Sequence, residues 1–317
     1  MNSTKNMAGE TMMETRDRYG KESVKSKGFK WLLKLTRSRK FWEKSGEDLR
    51  KAIEIRRMLS DEPPKKLLKR INIKKGDING KVYYELQPKQ ETDNKTIFYV
   101  HGGAYVYRIS KLHWNFLGKL VDELHCTIIV PLYPLAPEHT HQHTLAFMYT
   151  LYRQLMNTMK HPETIILMGD SAGGGLALLL AQLLKEKQLE QPGQMILISP
   201  WLDVSLTNPD IAPIEKHDPF LVKTGLKEAG KMFAGTTDTK HPKVSPLYGE
   251  LNGLAPITMF MGSHDILAAD ARKFVAIAEE QGVPVHYVEA PKMIHIYPIY
   301  NFPESRVALE QMVEKIK

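Results

Sequence analysis

Residues 164–175 read Thr-Ile-Ile-Leu-Met-Gly-Asp-Ser-Ala-Gly-Gly-Gly, and they constrain this chain more than any other stretch. An apolar run of strand length stops at a glycine-flanked serine and passes without a spacer into a second apolar run, 176–184. A buried strand can meet a helix this abruptly only through a sharp turn, and Gly169 and Gly173 leave room for the bend and for close packing. The residue at the apex, Ser171, is then thrust outward with its hydroxyl exposed to a reaction partner. The helix expected from 172 to 185 points its N-terminal N–H groups and positive dipole end at the same place, which favours developing negative charge. A bare Gly-x-Ser-x-Gly carries little weight, because small residues abound in loops; the strand–turn–helix context supplies it.

A second apolar run, 96–100, ends in His101-Gly102-Gly103-Ala104-Tyr105. Glycine there lets the backbone approach a substrate carbonyl that a side chain would hold away. Gly102, Gly103 and Ala104, with Ala172 at the serine turn, form the candidate oxyanion hole. The expected donors are the amides of Gly103, Ala104 and Ala172. Loss of one such donor costs about 10²–10³ in turnover, so this loop matters as much as the serine.

The two motifs, with Tyr133-Pro-Leu-Ala-Pro-Glu-His139 between them, resemble the hormone-sensitive-lipase-like esterases of the α/β-hydrolase class. The resemblance covers residues 70–317. It departs at Ala104, where most members carry a third glycine; an alanine amide still donates, but its methyl narrows the acyl site. The resemblance implies an α/β fold, a mostly parallel sheet with helices on both faces and a helical cap. It also implies a cofactor-independent serine hydrolase acting on short- to medium-chain carboxylic esters. An amidase or formamidase using the same site, and a ligand-binding homologue without turnover, are the alternatives.

The chain order in such enzymes is nucleophile, acid, base. Among twelve histidines, His295 lies after a plausible acid and just beyond the strand-like 283–289. It matches the family's C-terminal catalytic histidine and would take the Ser171 proton. Asp265 follows the strand-like 256–262 and is the expected acid; Asp270, about one helical turn on, is the second candidate. Asp218, in His-Asp-Pro-Phe, lies too early and falls in the expected lid. His139, His141 and His143 alternate and could hold a metal if extended. In a helix, His139 and His143 share a face and His141 does not, so no metal site is expected.

The charge is uneven. Residues 1–70 carry 20 Lys/Arg against 10 Asp/Glu, a net of +10, whereas the remaining residues carry 24 against 26. The basic excess therefore belongs to the N-terminal segment and says nothing of substrate charge. Nucleic-acid binding has no motif behind it. Association of the basic N-terminal helices with anionic membrane surfaces is a weaker expectation than a solvated cap. A single cysteine, Cys126, excludes an intrachain disulfide; with no signal peptide or membrane span recognised, a cytoplasmic location is expected. Oligomeric state is not legible.

Residues 1–25 are polar and expected to be a disordered basic tail, and 26–69 an N-terminal helical cap segment. From residue 70 a hairpin turns at Asn79-Gly80, and strands and helices then alternate through the catalytic domain. A proline-rich insertion near 204–250 breaks that rhythm; in the family it joins the N-terminal helices to cover the site. Candidate pocket residues are Tyr105, Tyr107, Trp201, Leu202, Phe220 and Leu221. Each can equally be core or cap packing.

Overall fold

The computed structural model describes residues 18–158 and 162–317. The N-terminal segment folds as α1 (Val24–Leu35), a 3₁₀ turn (Ser38–Phe41), α2 (Gly46–Arg57) and α3 (Lys65–Arg70). The hairpin β1 (Asn72–Ile78) and β2 (Lys81–Gln87) follows, then β3 (Thr96–Val100), α4 (Lys111–Leu124), β4 (Thr127–Pro131) and α5 (His141–Thr158). Next come β5 (Ile165–Asp170), α6 (Ala172–Glu186) and β6 (Gln194–Ile198). Two helices, α7 (Ile211–Glu215) and α8 (Lys223–Ala234), lie between β6 and β7 (Ile257–Gly262). The chain ends with α9 (Ala268–Glu280), β8 (Val285–Ala290) and α10 (Pro303–Ile316).

The eight strands form one sheet in the order β1-β2-β4-β3-β5-β6-β7-β8. The hairpin pairs antiparallel at one edge, and all pairings from β4 to β8 are parallel. Strand periodicity sorts side chains to two faces. Phe98, Val100, Ile165, Leu167, Met195 and Leu197 join α5, α6 and α9 on one side. Ile97, Tyr99, Ile166, Met168, Ile196 and Ile198 join α4 and α10 on the other. Burying each large apolar side chain is worth about 1.5–3 kcal/mol, so a parallel sheet covered on both faces is the stable arrangement for this pattern.

The sheet places the C-terminal ends of β3, β5, β7 and β8 along one edge, where loops carry the chemistry. Close packing at the elbow is tight. A Cβ on Gly173 would sit 2.1 Å from the Val100 carbonyl oxygen, so only glycine lets α6 press against the end of β3.

The polar tail expected over 1–25 needs correction in its last third. Tyr19 is buried, and its hydroxyl donates to Gln311 Oε1 at 2.9 Å and lies 2.8 Å from the Tyr297 hydroxyl. Ser23 caps α1 by accepting from the Ser26 N–H, while its own N–H donates to Glu304. Residues 18–25 are thus fastened to the C-terminal part of the fold. The rest of that expectation, residues 1–17, lies outside the described residues.

The N-terminal segment and the β6–β7 insertion are joined directly. The Gly225 N–H donates to the Trp42 carbonyl at 2.7 Å, and the Arg39 guanidinium donates to the carbonyls of Glu215 and Asp218.

Candidate active site

Ser171 stands at the β5–α6 junction with φ 53° and ψ −125°. Few non-glycine residues adopt this backbone, and such strain costs on the order of 1–3 kcal/mol. The elbow holds it through the Ser171 N–H, which donates to the Ile198 carbonyl at 2.8 Å, and the Ser171 carbonyl, which accepts from Trp201 at 2.9 Å. The result is a hydroxyl at the strand end, beside the first turn of α6.

His295 and Asp265 reach this hydroxyl from the ends of β8 and β7. Ser171 Oγ lies 2.9 Å from His295 Nε2, and His295 Nδ1 lies 2.8 Å from Asp265 Oδ2. All three side chains are buried. Asp265 is held in turn by the Leu267 N–H, which donates to its Oδ1 at 3.0 Å. With the carboxylate accepting from Nδ1–H, Nε2 carries a lone pair toward the serine. Burial alone would lower the His295 pKa, but the charge and hydrogen bond of Asp265 outweigh it, with help from Asp218 and Asp170, and the net shift is upward. A hydroxyl placed this way can lose its proton to imidazole as it attacks a carbonyl.

The candidate oxyanion loop lies beside the serine, where a Cβ on Gly102 would meet Ser171 Cβ at 2.9 Å. Gly103 has φ +131° and a Cβ there would meet the Tyr107 carbonyl oxygen at 2.7 Å, so this position demands glycine. Ala104 also has positive φ, 52°. Gly102, placed in the candidate oxyanion hole by the sequence, has a structural part in the loop. The Gly102 N–H donates to Asp170 Oδ1 at 2.9 Å and is therefore committed to holding the loop. The amides of Gly103, Ala104 and Ala172 are the donors this arrangement leaves for an oxyanion, Ala172 because a helix's first amides have no acceptor within the helix.

Asp170 is the main feature that sequence reasoning missed. Its Oδ1 also accepts from the Tyr99 hydroxyl at 2.6 Å, and its Oδ2 lies 3.2 Å from His113 Nε2. The Ser110 N–H donates to His113 Nδ1, which fixes the proton on Nε2 facing the carboxylate. Burial would raise the Asp170 pKa, but His113 and these donors outweigh it and keep the carboxyl ionised. The other side of the loop is braced by Tyr133, whose hydroxyl donates to the His101 carbonyl at 2.7 Å and whose ring stacks on His101 at 4.4 Å. Burial pushes His101 down to about 4, so it stays neutral near neutral pH. Arg57 completes the brace by donating to the carbonyls of Val106 and Ala136 and pairing with Glu138. We expect Asp170→Asn to cost about 1–3 kcal/mol of stability, because an amide nitrogen facing His113 Nε2–H leaves two buried donors opposed. Turnover falls with it as Gly102 loosens; parallel thermal melts and initial rates check both effects.

The rival residues go elsewhere. Asp270 is buried and accepts from the Asn208 amide at its Oδ1, 2.9 Å away, while His295 Nδ1 is taken by Asp265. Asp218, set aside as a lid residue, is buried beside the acid. Its Oδ2 accepts from the Ile266 N–H at 3.1 Å, and its Oδ1 from the N–H groups of Phe220 and Leu221 at 2.8 and 2.9 Å. Burial and the neighbouring Asp265 charge push it up to about 7. The Asp-Pro-Phe turn was the available signal, since aspartate before proline often bonds the backbone two residues on. His139 and His143 rings lie 5.4 Å apart, whereas His141 packs 6.0 Å from Phe233, so the three do not converge.

The candidate pocket residues divide. Phe220, half-buried, lies nearly parallel to the His295 ring at 6.5 Å, and the adjoining Leu221 is buried. Tyr107 follows the oxyanion loop and packs against Phe41 and Trp42 of the N-terminal segment, at 5.4 and 5.9 Å. Tyr105 instead stacks on Phe233 at 3.8 Å and on Trp201 at 5.2 Å, fully buried, so its ring is spent on packing. Trp201 and Leu202 are likewise buried, with the Trp201 indole N–H donating to the Asp203 carbonyl.

Comparison with known proteins gives the family. The family described as the alpha/beta hydrolase fold matches residues 97–299. An esterase of Acinetobacter venetianus is 34% identical over 71% of this chain and 75% of its own length. An acetyl-hydrolase of Streptomyces hygroscopicus is 30% identical over 69% of this chain and 74% of its own. The crystal structure of a hormone-sensitive lipase from a metagenome library superposes with a TM-score of 0.80 at 25% identity, covering 92% of this chain and 97% of that one. The chain belongs to the α/β-hydrolase fold family, among its hormone-sensitive-lipase-like esterases.

Proposed function

We propose that this protein hydrolyses carboxylic esters of short to medium acyl chain through an acyl-enzyme on Ser171. The supporting observation is the continuous hydrogen-bonded chain from Ser171 through His295 to Asp265, with the loop at Gly102 packed beside the serine. Ser171 Oγ attacks the acyl carbon while His295 Nε2 takes its proton. The tetrahedral oxyanion rests on the amides of Gly103, Ala104 and Ala172. His295 then returns the proton to the departing alcohol, and water repeats the sequence to release the acid. No cofactor takes part in these steps.

The cap is assigned to residues 26–69 together with the insertion near 204–250, which meet at Trp42, Arg39 and Asp218. It brings Phe220 to the catalytic imidazole and Tyr107 into contact with Trp42, and so shields the oxyanion from water, which strengthens its hydrogen bonds. The acetyl-hydrolase relative and the Ala104 methyl both favour small acyl groups. The single cysteine, Cys126, is buried, and burial pushes its thiol up to about 12; an unreactive lone thiol suits a reducing compartment such as the cytoplasm.

A series of aryl esters from acetate to palmitate tests the reading. Turnover should be highest for the shorter members and fall steeply for the longest. An amide or formamide panel run alongside decides the competing chemistry: faster turnover of those substrates than of any ester would transfer the assignment to an amidase.

A further inference from the structure

Nine large apolar side chains are well exposed among the described residues, and eight of them fall between residues 24 and 68. They are not scattered there. In α1, Val24, Trp31 and Leu35 follow the spacing that puts side chains on one face of a helix, with Gly28 between them and Leu32 at the margin. That face points outward: Val24 is 86% exposed, Trp31 65% and Leu35 62%. The opposite face is the one that packs. Phe29 lies against Tyr300 and Phe302 at 5.0 and 5.3 Å, Ser26 is buried, and Lys30 pairs with Glu22. The outward stripe is flanked by Lys25, Lys27 and Lys34, all exposed, and α1 contains no acidic residue. At the end of α2, Ile55, Met58 and Leu59 are likewise exposed, beside the exposed Arg56. Among the described residues no helix is long and apolar enough to cross a membrane.

We propose that α1, assisted by the end of α2, seats this molecule on an anionic lipid surface. Trp31 and Leu35 enter the boundary between headgroups and acyl chains, and Lys25, Lys27 and Lys34 meet lipid phosphates. Charge decides for this occupant. An apolar helix face rimmed by cations gains both from burial of its apolar area and from attraction to anionic headgroups. A second copy of the chain would bring the same lysines against their counterparts. The surface also borders the candidate site: the Arg56 guanidinium lies 4.8 Å over the ring of Tyr107, just beyond the oxyanion loop.

Sedimentation of the full chain with vesicles tests the proposal. Binding is expected to equimolar phosphatidylcholine–phosphatidylglycerol vesicles, and at least tenfold weaker binding to phosphatidylcholine alone. Raising salt from about 0.1 to 1 M should release the protein, since the Debye length falls from about 10 to 3 Å. Trp31→Ser with Leu35→Ser should lower partitioning on the order of 10²-fold, and each of the three lysines changed to glutamine about fivefold. These side chains are exposed, so the variants should fold and hydrolyse a soluble short-chain ester at the unaltered rate. Absence of vesicle binding, equal binding to the two vesicle types, or indifference to Trp31→Ser/Leu35→Ser would overturn the proposal. So would a salt-strengthened dimer in analytical ultracentrifugation that the same variant abolishes, which would assign the stripe to a second copy. None of these results bears on ester hydrolysis itself.

Discussion

Replacing Ser171 with alanine is expected to lower kcat for ester hydrolysis on the order of 10⁶-fold while KM and the fold change little. The hydroxyl lies at hydrogen-bonding distance from His295 Nε2, so it is the group placed to receive general-base assistance. The amides of Gly103, Ala104 and Ala172 survive the change, and they preserve the residual acceleration of about 10³–10⁴ over water that oxyanion binding alone provides. Because serine and histidine act as one unit, His295→Ala should cost nearly as much as Ser171→Ala, and the double variant little more than either. Initial rates on an aryl acetate, with a thermal melt to confirm folding, check both statements. Turnover by Ser171→Ala near the parent rate would remove the serine from the mechanism.

Asp265→Asn should cost about 10⁴ in kcat, and the reason lies in how its two oxygens are used. Oδ1 accepts from the Leu267 N–H and Oδ2 from His295 Nδ1–H, so both are acceptors. An asparagine can accept at only one of them. If its oxygen keeps the Leu267 bond, its amino group faces Nδ1, draws the proton of the imidazole to Nε2, and leaves Ser171 without a base. The same substitution moves the pH profile. His295 is raised above its ordinary value of 6.5 because Asp265, with Asp218 and Asp170, outweighs burial. Neutral imidazole is the active form, so parent activity should be absent at low pH and appear as pH climbs through that raised value. Without the carboxylate the main upward influence is lost and the pKa of His295 falls, so the residual activity should persist to lower pH than in the parent. A pH–rate profile for both proteins reads the shift and its sign; an acid limb that stays in place would show that Asp265 does not govern the imidazole.

Much of this architecture was legible in the chain because the signals are local. The serine elbow announces itself through a strand, two glycines and a helix in unbroken succession, and the hairpin through Asn79-Gly80. Asp265 and His295 could be chosen because each follows a strand, and parallel strands deliver such residues to one edge of the sheet. What escaped depends on partners brought together by the fold. The carboxylate of Asp170 binds the Gly102 amide, Tyr99 and His113, which come from β3, its loop and α4, and no spacing links them. Asp218 reaches the backbone beside the acid only because the insertion folds back onto the loop that follows β7. Tyr19 sits in a polar stretch whose composition argues against structure, yet it finds Gln311 near the other end of the chain. Tyr105 follows the oxyanion loop in sequence but turns into the aromatic stack with Phe233.

Peptide mapping after inactivation by an aryl phosphonate tests the central assignment most directly. An activated hydroxyl displaces the phenol at phosphorus and remains covalently bound, so the modified residue identifies the nucleophile. The account predicts one phosphonyl group per chain, on the peptide containing Ser171, with esterase activity lost in proportion to labelling. Activity lost with the label on another residue, or retained in full after Ser171 is labelled, would contradict it.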